Sequence, residues 1–289
     1  MRKTYKVAGH KFALLMPDDS VLWQLTHNYD PFEVGEEDDC LFVAELVDEW
    51  FDTADKKKLI ISGSKKDKMR VDVFEWRGML LLEIAPTLET PTMLYMLINK
   101  DYTNVKFFEK ESRAYSINPV LMLMYAIATA KLDTVLIHAS VTLNEGKGYL
   151  FLGRSGTGKS THSQLWINNI EGCELLNDDN PVLRVEADGT VRVYGSPWSG
   201  KTPCYRNLDA PVGAFVDLHQ AKQNVIKRQT MVEAYASIMV SVSSFKFIKE
   251  LADSYHATLV KLIGTVPCYS LDCLPNAEAA FLCHNTVTQ

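Results

Sequence analysis

The stretch Gly153-Arg154-Ser155-Gly156-Thr157-Gly158-Lys159-Ser160-Thr161 constrains this chain more than any other. It fits the phosphate-cradling pattern G-x-x-x-x-G-K-[ST], which needs a strand before it and a helix after it. Both flanks qualify. Gly148-Tyr149-Leu150-Phe151-Leu152 is an apolar, aromatic run of buried-strand type. Thr161 to Ile167 can form the first turns of a helix. A polyphosphate carries several negative charges and many acceptor oxygens. Glycines at 153, 156 and 158 let the backbone turn and aim its N–H groups inward, with Ser155 and Thr157 between them. The helix start adds its positive dipole end beside Thr161. Lys159 would reach the β- and γ-phosphates, and the Ser160 hydroxyl would ligate Mg²⁺. A glycine-rich turn that binds nothing is the plainer reading, and the correct flanks argue against it.

A length of 289 residues allows one large or two ordinary domains. Hydrophobic content of 47% and charged content of 23% describe a globular chain. The formal net charge of −6 argues against a chain built to coat nucleic acid or an anionic membrane. Cys40, Cys173, Cys204, Cys268, Cys273 and Cys283 include no C-x-x-C pair, so neither a zinc site nor a disulfide framework is expected. Met1-Arg2-Lys3-Thr4-Tyr5-Lys6 leads into no apolar signal segment, and no apolar run reaches about 18 residues. A cytoplasmic protein with reduced thiols is the expectation.

Residues 1–115 read as an amino-terminal, mainly β, α+β unit, and 116–289 as a second domain carrying the loop. In the first unit, Val7–Leu15 reads as a strand or hairpin edge, and strands are expected over Leu41–Val47, Lys56–Gly63, Met69–Trp76, Met79–Ile84 and Tyr102–Phe108, with a turn at Arg77-Gly78. The acidic run Glu36–Asp39 and the basic run Lys56–Lys58 read as solvated surface, and His10 and His27 as structural or surface groups. No catalytic constellation stands out here. A buried helix is expected over 118–131, capped by Asn118 with Pro119 in its first turn.

In the second domain, Thr134–Leu143 reads as one strand carrying His138 and Ser140, turned through Asn144–Gly148 into the loop strand. In Glu174–Val185 an apolar strand ends in the two adjacent carboxylates Asp178 and Asp179. These adjacent carboxylates, about 20 residues past Lys159, stand where a metal-holding acid and a second acid would meet the phosphates. A plain turn is the alternative, since Asn, Asp and Pro are also turn residues. In the loop Ser196–Thr202, Lys201, or Arg206 beyond it, would neutralise a transferring phosphoryl group, or the segment is ordinary surface. Further strands are expected at Val191–Gly195, Gly213–His219 and Val266–Leu271, and helices over 231–253 and 276–282.

The set made by His138, the loop 153–161 and the Asp178-Asp179 pair, at this spacing, resembles the HPr kinase/phosphorylase catalytic domain. That domain is in turn similar to the nucleotide core of ATP-dependent phosphoenolpyruvate carboxykinase. The resemblance covers about residues 130–280. It implies an α/β, P-loop nucleotide-binding core with a mixed sheet, distinct from the doubly wound sheet of common P-loop proteins. It implies ATP and Mg²⁺ as cofactors. Lys159 and Ser160 would hold phosphates and metal, one of Asp178 and Asp179 the metal, and the other would be general base on an acceptor hydroxyl, with His138 orienting it. Family members often form rings, so a homo-oligomer is implied too. Residues 1–115 do not match the usual amino-terminal domain of HPr kinases, and the Gly195–Thr202 loop resembles that of small HPr-kinase-related proteins. The expected activity is therefore phosphoryl transfer to a hydroxyl of a small molecule or a protein. An ATP-binding sensor or scaffold without turnover and a carboxykinase-like enzyme are the alternatives.

Overall fold

The computed structural model describes every residue except 36, 63–68, 111–116, 201, 244, 246 and 247, and the side chains of 60–62. The chain divides into two compact units, Met1–Ala128 and Thr129–Gln289. Each is mixed α/β.

In the first unit, β1 (Arg2–Val7), β2 (His10–Leu15), β3 (Glu33–Val34), β4 (Phe42–Leu46), β5 (Lys57–Ser62), β6 (Arg70–Trp76), β7 (Met79–Ala85), β8 (Leu94–Ile98) and β9 (Asn104–Glu109) form one mixed sheet. Their order is β3-β1-β2-β4-β9-β8-β7-β6-β5 among the described residues. Among the described residues, only β2–β4 and β4–β9 pair in parallel in this sheet. Of the two readings of Val7–Leu15, strand or hairpin edge, the second holds. Ala8 and Gly9 take φ of 49° and 80°, the two-residue geometry that matches strand twist. Strand β8 was not anticipated, because five apolar residues without alternation carry no period to read.

Helix α1 (Ile117–Thr129) lies by its contacts with the first unit, so the boundary falls after Ala128 rather than near 116. Asn118 is not its cap. It sits inside the first turn, where its Oδ1 accepts from Asn28 Nδ2 at 3.0 Å and Tyr29 OH at 2.8 Å. The Tyr125 hydroxyl donates to Val7 O at 3.1 Å.

In the second unit the elements are β10 (Thr134–Ile137), β11 (Ala139–Asn144), β12 (Lys147–Leu152), α2 (Lys159–Asn169), β13 (Glu174–Asp179), β14 (Val182–Val185), β15 (Val191–Tyr194), β16 (Asp209–Gln220), β17 (Val225–Arg228), α3 (Met231–Ser241), β18 (Val242–Ser243), α4 (Lys249–Thr265), β19 (Cys268–Cys273) and α5 (Ala277–Val287). The sheet path is β13-β11-β12-β16-β15-β14-β10-β18, with β19 beside β16 and β17 beside β19. It is mixed: β12–β16 and β16–β19 are parallel, the other pairs antiparallel.

Two expected continuous elements are broken, and their breaks meet the gap between β13 and β14. The strand 134–143 divides at His138, whose N–H donates to Ser241 O at 2.7 Å. As expected, β13 ends at the two carboxylates; at Asn180-Pro181 beyond it, Pro181 O accepts from Ile137 N at 3.2 Å and proline has no N–H to continue a ladder. The helix 231–253 ends at Ser241, because Val242-Ser243 pairs with Leu136-Ile137 as a short strand. Only tertiary pairing explains that last break.

The loop helix α2 is held to the sheet by burial and by one polar pair. Trp166 is fully buried, with ring centroids 5.2 Å from Tyr149 and 5.3 Å from Phe151, in a cluster with Leu218, Leu271 and Cys283. Ser140 Oγ of β11 and Ser163 Oγ of α2 lie 2.6 Å apart, both buried. No two cysteines are bonded. No helix among the described residues is long and apolar enough to cross a membrane.

Candidate active site

Strand directions bring the chemistry to one edge of the sheet. Strand β11 is antiparallel to both β12 and β13, so β12 and β13 end at the edge where β11 begins. The loop leaves β12 there, Asp178 and Asp179 close β13 there, and His138 stands just before β11. Register makes the meeting specific: Ser140 pairs with both Phe151 and Asp178.

The loop joins β12 to α2. Gly153, Gly156 and Gly158 take φ of 136°, 85° and 109°, conformations that side chains disfavour. Gly158 is the N-cap of α2, and its carbonyl accepts the first helical bond from His162 N at 2.8 Å. The N–H groups of the first turn therefore have no intrahelical acceptor and are available to an anion. Lys159 is only 9% exposed, and its Nζ spans the loop to Gly153 O at 2.9 Å. Burial pulls its ammonium below the usual lysine range, opposed by the charges of Asp179 and Asp178.

The acids are differently engaged. Asp178 is 6% exposed, and its Oδ1 accepts from Ser160 Oγ at 2.9 Å. Asp179 is half-open, and its Oδ1 lies 2.7 Å from His138 Nδ1. Asp179 has φ of 154°, a strained value for a non-glycine residue, of the kind that costs about 1–3 kcal/mol. Its surroundings hold it there. It pairs with Ala139 on one side and bridges to Ser199 on the other. Gly200 N donates to Asp178 O at 2.6 Å. A Cβ on Gly200 would come within 3.0 Å of that oxygen and 3.2 Å of Asp179 Cβ.

His138, Ser155, Gly156, Gly158, Lys159, Ser160, Thr161, Asp178 and Asp179, all predicted from sequence, line one cleft of about 540 Å³ together with Gly200. Gly153 and Thr157 line an adjoining cleft of about 690 Å³ instead. Lys201 lies outside the described residues. Arg206 is committed elsewhere: it pairs with Glu174 at 2.7 Å and donates to Leu175 O at 2.6 Å. The Ser196–Thr202 segment is no ordinary surface loop, since Ser196, Pro197 and Trp198 are buried. Ser196 Oγ donates to Asn180 O at 2.6 Å and accepts from Asn177 Nδ2 at 3.2 Å, which fixes the chain on either side of the acids.

The Ser160 hydroxyl beside the Asp178 carboxylate is an oxygen pair suited to Mg²⁺, which takes one or two protein oxygens and completes its shell with phosphate and water. In the first unit, the acidic run is tied down by charge rather than free. Lys11 pairs with Glu37 and with Asp39, and Arg2 with Asp38 at 3.5 Å; Glu36 lies outside the described residues.

Reasoning from sequence missed the far flank of the loop. Asp217 of β16 is in register with Leu152, the last residue of β12, accepts from Ser237 Oγ at 2.8 Å, and lies 3.3 Å from His219 Nε2. Gln220 Nε2 donates to Gly156 O at 3.2 Å and Thr157 O at 3.4 Å. The signal was present in Ala214-Phe215-Val216-Asp217, an acid within an apolar strand.

No family model matches this chain, and no curated protein matches it. Among solved structures it is similar to an Hpr(Ser) kinase/phosphatase from Coxiella burnetii, at 14% identity and a TM-score of 0.32, over 53% of this chain and 87% of the other.

Proposed function

We propose that this protein is an ATP- and Mg²⁺-dependent phosphotransferase that moves a γ-phosphoryl group to a hydroxyl of a small molecule or protein. The observation that carries the reading is the meeting of Lys159, Ser160, Asp178, Asp179 and His138 around one cleft at the open end of a phosphate-cradling loop. Amides of the loop and of the first turn of α2, with the Lys159 ammonium, bind the phosphate chain and offset its charge. Ser160 and Asp178 would hold the metal, which would supply positive charge against the phosphates. Asp179 accepts the proton of the acceptor hydroxyl, whose oxygen forms the new bond to γ-phosphorus while the bond to the β–γ bridging oxygen breaks. His138 orients the Asp179 carboxylate through Oδ1, leaving Oδ2 for the acceptor. Catalysis is then mainly positioning and charge stabilisation.

The test is incubation of the protein with γ-labelled ATP, Mg²⁺ and a cell extract, followed by identification of the labelled species. Lys159→Ala is expected to lower transfer by about 10²–10³-fold or more. Undiminished turnover in that variant would sink the reading. Tight ATP binding by the wild-type protein with no loss of γ-phosphate would favour a nucleotide-binding sensor instead.

A further inference from the structure

One buried hydroxyl brackets the acid pair. Ser196 is fully buried. Its Oγ donates to Asn180 O at 2.6 Å and accepts from Asn177 Nδ2 and from Trp198 N, both at 3.2 Å. Its one proton and two lone pairs are thereby filled. Asn177 is the residue before Asp178, and Asn180 the residue after Asp179. A single side chain therefore holds the chain on both sides of the pair. Ser196 does not itself line the cleft that contains the acids.

Backbone bonds extend the same clamp. Asn180 N donates to Trp198 O at 3.2 Å, Gly200 N donates to Asp178 O at 2.6 Å, and Asp179 bridges to Ser199. The shortest bond of the Ser196 side chain, to Asn180 O, secures the chain immediately after Asp179, where the strain sits at φ of 154°. A non-glycine residue keeps such a value only when its surroundings over-determine it. Released, the backbone would relax and carry the Asp179 carboxylate away from His138 Nδ1, now 2.7 Å distant. The clamp also reaches the histidine side of the cleft. Asn180 Oδ1 accepts from Ser243 Oγ at 3.3 Å, and Ser243 pairs with Leu136, two residues before His138.

Resting on the phosphotransferase reading, we infer that Ser196 is a positioning residue, whose hydroxyl holds Asp179 in the strained conformation that aims its carboxylate at the acceptor. It acts on the transfer step and not on nucleotide binding, because its hydrogen bonds go to Asn177, Asn180 and Trp198 and none reaches the phosphate loop.

The experiment is a double-mutant cycle on the full chain, with Ser196→Ala, Asp179→Asn and both together. ATP binding with Mg²⁺ is measured by titration calorimetry, and kcat by transfer from γ-labelled ATP to the acceptor in a cell extract. Ser196→Ala is expected to bind ATP within about twofold of wild type and to lower kcat about 10²-fold, the loss that follows a misplacement of about 1 Å at the reacting groups. In the Asp179→Asn background, Ser196→Ala is expected to cause no further loss, because the group it positions is already gone. A purely structural hydroxyl would lower kcat by the same factor in both backgrounds, and that result overturns the inference. So does a wild-type kcat in Ser196→Ala. Gly200→Ala disturbs the same clamp from its exposed side, since its Cβ would come within 3.2 Å of Asp179 Cβ. It is expected to keep ATP binding and lower kcat. If Ser196→Ala loses ATP binding while Gly200→Ala keeps wild-type kcat, the inference is overturned as well. These outcomes leave the phosphotransferase reading standing, because the wild-type protein still transfers phosphate. A wild-type protein that transfers none removes that reading and the role of Ser196 with it.

Discussion

Single residues divide the labour at the acids. Asp178 is buried against Ser160, whereas Asp179 is half-open against His138, so equal side chains are given different tasks by their neighbours. Asp178→Asn is expected to weaken the Mg²⁺ dependence of ATP binding. Asp179→Asn is expected to leave ATP binding within about twofold and to lower transfer by about 10²–10⁴-fold, the range for loss of a general base. Titration calorimetry with and without Mg²⁺, beside a transfer assay, separates the two. Parallel effects of both substitutions would remove the division. Gly200 belongs to the same set although no motif marks it. It is required by a backbone approach that only the folded chain creates.

Among elements, the register of β11 against β12 and β13 decides where His138 and the acids stand, and the seating of α2 decides where Lys159 stands. The Ser140–Ser163 pair links these two decisions across a dry interface. Removing one hydroxyl strands the other, which costs about 1–3 kcal/mol, whereas removing both is milder. Ser140→Ala and Ser163→Ala are each expected to destabilise the protein by about that much in urea unfolding. The double variant is expected to fall short of their sum by about 1 kcal/mol. Additive losses would mean that the pair does not hold α2 to β11. The loop motif marked α2, and apolar runs marked most strands, because both signals are local. Such signals failed where partners intervene: β10 and β11 looked like one strand, and α3 and β18 like one helix, until pairing of Val242-Ser243 with Leu136-Ile137 divided both.

At the scale of the whole molecule, burial of one titratable ring couples stability to pH. Burial depresses His162 from its ordinary 6.5 to about 4. The folded state therefore keeps the ring neutral where the unfolded chain binds a proton. This contribution is complete above about pH 6.5 and is lost as pH falls toward 4, amounting to about 3 kcal/mol at most. Urea midpoints followed from pH 7 to 4.5 are expected to drop, and His162→Gln is expected to flatten that drop. An unchanged slope in the variant would assign acid sensitivity to other groups.

What the chain determines by itself is local. The glycines, lysine and serine of 153–160, the apolar strand before them and the acid pair after them are written in consecutive residues. Phosphate-loop chemistry needs backbone freedom and a charge at fixed short spacings, so it can be read without a fold. The tertiary structure alone decided that Arg206 turns away to Glu174, that Gly200 backs the acids, and that α1 lies with the first unit. It also decided that Gln220, His162 and Leu274 line one cleft, although the first and last of these lie far along the chain from the loop. Such contacts join residues across long sequence separations through strand register and core packing, and no short window of sequence holds the energy that selects them.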